Sequence, residues 1–145
     1  MQPEVKSLFE QDLVSRDKAI ARELASKANL RELQANEKLY AEGDEANFIF
    51  LILEGTCKPD GTRIRAVIKR GTFLGELPLL GVPALRADAK PAYAVTAVAH
   101  EKCILAQVSY ADFEDVAAKH PQVWKFMAAT LARRLNERFS PPPTK

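Results

Sequence analysis

Hydrophobic residues change their spacing twice along the chain, and each change predicts a different kind of element. Residues 16–28 are rich in alanine and place Ile20 and Leu24 one turn apart, which predicts an amphipathic helix. After this helix, short apolar runs rich in Val, Ile, Phe or Thr alternate with turn residues. The runs are Leu30 with Leu33, the pair Leu39 and Tyr40, and residues 48–53, 63–68, 94–99 and 103–108. About seven or eight short strands at this spacing predict a small antiparallel barrel or jelly roll.

Turn residues support the strand assignment. All six glycines lie between positions 43 and 81, where they separate the apolar runs. Glycine adopts positive φ at little cost, so each one favours a tight turn. Residues 58–62 read KPDGT, in which the proline and the Asp-Gly pair predict a hairpin. Residues 100–102 are a polar turn between the last two runs.

Helical spacing returns at the carboxyl end. Ser109 is a suitable N-cap for a helix over residues 110–119, and Pro121 fits the first turn of a second, longer helix. The apolar stripe of that helix contains Val123, Trp124, Met127, Leu131 and Leu135. Its arginines are expected on a solvated face near the helix end, and they are Arg133, Arg134 and Arg138. The predicted fold is mainly β: an antiparallel double-stranded β-helix, or jelly roll, with an N-terminal helix and two C-terminal helices.

Composition narrows the function classes. The chain has 145 residues, 47% hydrophobic and 28% charged, which fits one soluble globular domain. A net charge of +2 is too small by itself to indicate a nucleic-acid surface. Cys57 and Cys103 lie inside apolar runs without the spacing of a metal site, so we expect two buried, reduced thiols and no metal.

Both ends of the chain bear on its organisation. The first residues lack the pattern of a secretion signal, and the longest apolar run, 48–53, is too short to span a bilayer. We therefore expect a cytoplasmic protein, or a piece of one, without a membrane segment. Residues 140–145 read SPPPTK, which favours a stiff linker to an output domain. The predicted division is an N-terminal segment (1–15), a domain (16–139) and a proline-rich linker (140–145).

The sequence FLGELPLL at 73–80 is the best candidate for a binding site. A short helix that begins at Gly75, Glu76 and Leu77 would point unpaired backbone amides at an anion such as a phosphate. Pro78 suits the first turn but removes one donor. A carboxylate beside a phosphate would repel it, so Glu76 is expected to face a hydroxyl donor such as a ribose.

These residues resemble the cyclic nucleotide-binding domain, the β-roll of catabolite activator proteins, kinase regulatory subunits and gated channels. The resemblance includes FIFLILEG at 48–55 and FLGELPLL at 73–80. It extends upstream to LYAEGD at 39–44 and downstream to VTAV at 95–98 and LAQVSYADF at 105–113. It covers roughly residues 16–139, and it implies a 3′,5′-cyclic nucleotide as ligand and no catalytic activity.

The resemblance also implies roles for individual residues. The short Gly-Glu helix corresponds to a phosphate-binding cassette, in which Glu76 takes the ribose 2′-OH and the amides of the turn bind the phosphate. By the same resemblance, Leu74, Gly75 and Leu77 are expected to be ligand-binding residues. The arginine that pairs with the phosphate does not align directly. We favour Arg86, with Lys90 as the second choice, since a guanidinium grips phosphate through two bonds.

Two shorter segments resemble the sensor domains of bacterial anti-phage effectors. Such domains detect cyclic UMP or cyclic CMP and precede a TIR domain or a membrane segment in the chain. The segments are HPQVWK at 120–125 and LARRLNER at 131–138. For Trp124 we weigh two roles, packing first and stacking on the nucleobase second. The resemblance implies a homodimer through residues 121–139 and leaves cyclic UMP, CMP or AMP open as ligand.

Three other functions remain as alternatives. A degenerate domain without ligand, acting as a dimerisation or interaction scaffold, would explain the displaced arginine. A cupin-type enzyme needs clustered metal ligands, whereas His100 and His120 are expected to be surface or capping residues. A transcription factor would need a DNA-binding helix-turn-helix, and only six residues follow Phe139.

Overall fold

The computed structural model describes residues 1–60, 67–81 and 91–139. Within these ranges the chain forms four helices and eight strands. In chain order they are α1 (Val5–Leu8), α2 (Lys18–Lys27), β1 (Asn29–Leu33), β2 (Lys38–Tyr40), β3 (Phe48–Glu54), β4 (Thr56–Pro59), β5 (Ile68–Lys69), β6 (Phe73–Leu74), β7 (Ala97–Ala99), β8 (Cys103–Ser109), α3 (Tyr110–Lys119) and α4 (Gln122–Phe139). The predicted arrangement of flanking helices around a β-roll is confirmed.

The strands form two antiparallel four-stranded sheets. The first has the order β1-β8-β3-β6 and the second the order β2-β7-β4-β5. The longest pairing joins β3 to β8, from Phe48 opposite Ser109 to Ile52 opposite Leu105. Side chains of both sheets meet in one apolar cluster, so the sheets enclose a common interior.

Strand β3 explains the longest apolar run of the sequence. Alternate residues of a strand point to opposite faces. Ile49 and Leu51 pack into the cluster shared with the helices, whereas Phe50 and Ile52 pack into the interior between the sheets. Because both faces are covered, the strand is apolar at consecutive positions instead of alternating with polar residues.

Capping residues set the bounds of two helices. Asp17 accepts hydrogen bonds from the amides of Ala19 and Ile20, so α2 begins at Lys18 and not at residue 16 as predicted. The physical reason is the backbone before the cap, where Ser15 and Arg16 have φ of 50° and 64°, outside the helical region. Helix α3 has the predicted bounds, with the Ser109 hydroxyl accepting from the Asp112 amide at 3.1 Å.

Helix α4 spans 18 residues and follows Pro121 as expected. No helix in residues 1–60, 67–81 and 91–139 is both long enough and apolar enough to cross a membrane.

Three apolar residues of the N-terminal segment, residues 1–15, are packed against the helices. Leu8, Leu13 and Val14 are each at most 1% exposed and join the cluster formed by α2, α3 and α4. The amide of Asp12 donates to the carbonyl of Gly71 at 2.7 Å. The sequence pattern did not indicate this packing, because four residues of α1 are too few for a helical period to be read.

Other boundaries differ from those predicted or lie outside the described residues. Strand β7 occupies only the last three residues of the predicted run 94–99. The predicted hairpin at 58–62 and the run 63–68 are described only up to Asp60 and from Val67 onward. The linker at 140–145 also lies outside the described residues.

The two cysteines are buried free thiols, as predicted. Their sulfur atoms lie 3.8 Å apart, across the interior from β4 to β8. Burial raises the pKa of the Cys57 thiol to about 12, so this group stays protonated and unreactive at neutral pH.

Candidate functional site

Gly75 begins a turn, residues 75–80, that we call the Gly-Glu turn. Its φ is +86°, and an added Cβ would lie 2.9 Å from the Phe48 carbonyl oxygen and 3.3 Å from a ring carbon of Phe50. The Tyr110 hydroxyl donates a hydrogen bond to the Gly75 carbonyl. The start of the turn is therefore fixed against β3 and α3 in a conformation that only glycine adopts easily.

The rest of the turn is shorter than predicted. The Leu80 amide donates to the Glu76 carbonyl at 3.1 Å, which closes one helical turn. Residues 77–81 are turns and not a helix. Pro78 lacks an amide hydrogen, and Gly81, whose φ is +75°, ends the turn. A proline and a glycine this close together leave no room for a second helical turn.

Glu76 is buried at the start of this turn. It is only 5% exposed, although the next residue, Leu77, is 42% exposed. The Glu76 side chain borders a cavity of about 190 Å³ that lies between the second sheet, the Gly-Glu turn and α4. A buried carboxylate beside a cavity is available as an acceptor for a bound donor.

Apolar and aromatic groups form most of the cavity wall. The rings of Tyr40 and Tyr93 stack with centroids 3.8 Å apart and an interplanar angle of 15°. The Tyr93 hydroxyl donates to the Phe48 carbonyl at 2.8 Å, which fixes the ring. The other described residues of the lining are Lys58, Pro59, Ile68, Leu74, Gly75, Leu77, Pro78, Ala94, Val95, Ala97 and Arg134. A few polar groups in an apolar cavity are typical of a small-molecule site.

Arg134 is the functional candidate that the sequence analysis missed. We predicted it on a solvated face of the last helix, and this prediction was wrong. Its side chain is 25% exposed, and Nη1 donates to Oε1 of Glu76 at 3.3 Å. Nη2 donates to Oγ1 of Thr72 at 2.5 Å and also to the carbonyl of Phe73. Its guanidinium carbon lies 4.7 Å from the centroid of the Phe73 ring.

The spacing of α4 contains a signal for this residue. Val123, Met127 and Thr130 are at most 3% exposed, and Arg134 continues their series at intervals of four, three and four residues. A helix repeats one face at these intervals. The position of Arg134 on the buried stripe was therefore readable, but its partner on a distant segment was not.

Burial and the arginine act on Glu76 in opposite directions. Burial raises the pKa of the Glu76 carboxyl above its ordinary range, while Arg134 and the residue's own backbone amide lower it. Burial also lowers the pKa of the Arg134 guanidinium, but an arginine stays charged at neutral pH. The pair is a partly buried ion pair in which the arginine offsets the cost of burying a carboxylate.

The structure brings four of the predicted site residues together, since Leu74, Gly75, Glu76 and Leu77 all border the cavity. Trp124 lies elsewhere. Its ring meets Phe113 edge-on at 5.5 Å and packs on the helical cluster, in agreement with the packing role. Arg86 and Lys90 lie outside the described residues.

A larger groove of about 340 Å³ lies on the other side of α4, next to residues 10–16. Its charged groups include Asp12 and Arg133, which pair with each other at 3.1 Å. The groove is away from the Gly-Glu turn, and its residues form no pattern that indicates a ligand. In the described parts of the chain, no group of three or more His, Cys, Asp or Glu residues is arranged to hold a metal ion.

Comparison with known proteins gives a consistent family. Residues 30–120 match the family model of the cyclic nucleotide-binding domain. The chain is 31% identical over 134 residues to the Pycsar effector protein XpPycTIR of Xanthomonas perforans, covering 92% of this chain and 42% of that protein. It is 32% identical over 133 residues to the Pycsar effector protein PaPycTIR of Pseudomonas aeruginosa, covering 90% of this chain and 41% of that protein. The chain thus spans about two fifths of the length of these relatives.

The fold is also found in a solved structure. The sensor domain of the transcriptional regulator DNR from Pseudomonas aeruginosa superposes with a TM-score of 0.68, covering 96% of this chain and 90% of that one. The two sequences are 19% identical, so the likeness concerns the fold.

Proposed function

We propose that the chain, which belongs to the cyclic nucleotide-binding domain family, is a receptor module that binds a 3′,5′-cyclic nucleotide and passes the signal through α4 to an effector. The observation that carries this proposal is the buried carboxylate of Glu76, held at the cavity by the left-handed Gly75. A carboxylate accepts hydrogen bonds from hydroxyl groups, and a ribose presents such a group beside a phosphodiester.

The proposed contacts extend this assignment to the rest of the nucleotide. Glu76 accepts from the ribose 2′-OH, and the amide of Leu77 together with Arg86, or Lys90 in its place, binds the cyclic phosphate. The base lies against the apolar wall that includes Tyr40 and Tyr93. Cyclic UMP, cyclic CMP and cyclic AMP are the candidate ligands.

The effector is proposed from the relatives. Two proteins that match over nine tenths of this chain are Pycsar effector proteins more than twice its length. We infer that the chain serves as the sensor of such an effector in anti-phage defence, in the cytoplasm. Residues 140–145 would then lead to an output domain of the TIR type. In this role the chain binds a ligand and catalyses nothing.

Calorimetric titration with cyclic AMP, GMP, CMP and UMP tests the proposal. We expect one nucleotide to bind with a micromolar or lower Kd. At a hundred times its Kd, a ligand that binds only the folded state adds about 2.7 kcal/mol of stability, so the Tm should rise by about 5 °C or more. Absence of heat and of a Tm change with all four would leave the alternative, a domain that has lost its ligand and serves as a scaffold.

We further propose that the receptor is a homodimer through α4. Leu135 is 57% exposed, and Ala128 and Leu131 precede it at intervals that fall on one helix face. Sedimentation equilibrium should give a dimer for the wild-type protein and a monomer for Leu135→Glu. A wild-type monomer at the highest concentration used for the titrations would contradict the dimer.

A further inference from the structure

Arg134 joins the last helix to the binding cavity. It is the residue that α4 contributes to the described lining, and it reaches three groups of one neighbouring segment: Thr72 Oγ1, the Phe73 carbonyl and Glu76 Oε1. The Phe73 ring, which is fully buried, covers one face of the guanidinium. The hydrogen bonds and the ring contact fix the position of the guanidinium, and its Nη1 donates to Glu76.

We propose that Arg134 is a positioning residue for the ligand: it holds the Glu76 carboxylate charged and oriented toward the cavity, so that the site is competent only while α4 is docked. The inference rests on the proposed function, since it assumes that Glu76 accepts a ligand hydroxyl. It makes ligand binding depend on the docking of α4. The Gly-Glu turn alone would not impose this condition, because Arg134 belongs to α4.

The charge state of Glu76 is what the arginine controls. A carboxylate accepts on both oxygens, whereas a protonated carboxyl carries a donor and accepts less well. Among the described residues, the other titratable groups around Glu76 are Tyr40 of β2 and Tyr110 of α3, with Tyr93 and Lys58 on the cavity wall. The tyrosines are neutral at pH 7, and burial raises the pKa of each further. Of the groups named, Arg134 is thus the cation in direct contact with the carboxylate.

Thermodynamic linkage predicts how a bound ligand affects the docking of α4. If docking of α4 through Arg134 strengthens ligand binding, the bound ligand must strengthen the docking of α4 by the same factor. The ligand-bound protein should therefore hold the second half of α4 more firmly than the free protein. An effector attached beyond this helix would experience that difference.

The neighbouring arginine provides a matched control. Arg133 pairs with Asp12 at 3.1 Å, but its side chain is 63% exposed and it borders the other groove. Arg133→Gln therefore removes the same charge from the adjacent position without touching Glu76. Arg134→Lys keeps the charge but loses the planar fork, and it serves as the second test variant if Arg134→Gln is not folded at 25 °C.

The first measurement uses the ligand-free protein. We expect the Glu76 carboxyl carbon, followed by ¹³C NMR and assigned with Glu76→Gln, to titrate at a higher pH in Arg134→Gln than in the wild type. Backbone amides in the second half of α4 should exchange hydrogen about tenfold faster or more. Arg133→Gln should leave the Glu76 titration unchanged. If Arg134→Gln alters neither the titration nor the exchange, the proposal is overturned whether or not a nucleotide binds.

The second measurement is calorimetric titration with the nucleotide that binds the wild type. Arg134→Gln should weaken binding by about tenfold or more, Arg134→Lys by less, and Arg133→Gln by less than twofold. A folded Arg134→Gln that binds as tightly as the wild type would overturn the proposal. If no nucleotide binds the wild type, the receptor function fails, and the ligand-positioning role of Arg134 fails with it. If a nucleotide binds and Arg134→Gln changes neither the Glu76 titration nor the affinity, the positioning role fails alone and the receptor function stands.

Discussion

Replacing Glu76 with alanine is expected to weaken cyclic-nucleotide binding by roughly ten- to a hundredfold. A hydrogen bond to a charged group contributes about 1.5–3 kcal/mol, and each 1.4 kcal/mol is a factor of ten in Kd. Glu76 is 5% exposed, so bulk water does not readily replace the lost acceptor. Glu76→Gln keeps the shape and one acceptor oxygen, and its effect should be smaller. Calorimetric titration of the wild type and both variants measures the difference.

The control for this series is Leu80→Ala. Leu80 belongs to the same Gly-Glu turn but is 41% exposed and does not border the cavity. Its substitution should change the Kd by less than twofold. Glu76→Ala also leaves the Arg134 guanidinium without its carboxylate, which should lower the Tm of this variant. Affinities must therefore be measured well below the lowest Tm of the set. Wild-type affinity in Glu76→Ala would show that the ligand hydroxyl is bound elsewhere.

Gly55→Ala should be the most destabilising of the glycine substitutions at the described positions. An added Cβ would lie 2.2 Å from the Lys102 carbonyl oxygen and 3.0 Å from the Cys103 sulfur, and φ at this position is +84°. The close atom belongs to the backbone of the turn before β8, so a side-chain rotation cannot relieve the overlap. We expect a loss of about 3 kcal/mol or more, which lowers the Tm of a domain of this size by about 6 °C or more.

Gly43→Ala separates backbone strain from steric overlap. Its φ is +88°, nearly that of Gly55, but no atom lies within 4 Å of the added Cβ. It should therefore lose only about 1 kcal/mol, the cost of the left-handed conformation. Equal losses in the two variants, measured by thermal or chemical unfolding, would contradict the overlap at Gly55.

Local chemistry made most of the fold predictable. Residues 48–53 are apolar without interruption, and they form the strand that is covered on both faces. The Ser109 cap gave the bounds of α3 because its hydroxyl satisfies an amide three residues away, a purely local interaction. The position of the Gly-Glu turn was also predictable from local sequence, because Gly75 and Glu76 are adjacent in the chain.

Interactions between distant segments were the part that the sequence did not reveal. Arg134 and Glu76 are 58 positions apart, and only the three-dimensional packing of α4 brings them to 3.3 Å. The later start of α2 is a different kind of miss, because Asp17 was a local signal for a cap, whereas the positive φ of Ser15 and Arg16 was not indicated, since neither is a glycine. The burial of Leu8 was also not predictable, because a helix of four residues is too short to show a period.

The edge-on contact between Trp124 and Phe113 has a practical consequence. The chain contains one tryptophan, and its indole sits at the junction of α3 and α4, away from the cavity wall. Its fluorescence spectrum depends on the polarity around the ring. Light emitted on tryptophan excitation therefore comes from a single indole on α4, so the protein carries its own optical probe of this helix and needs no dye.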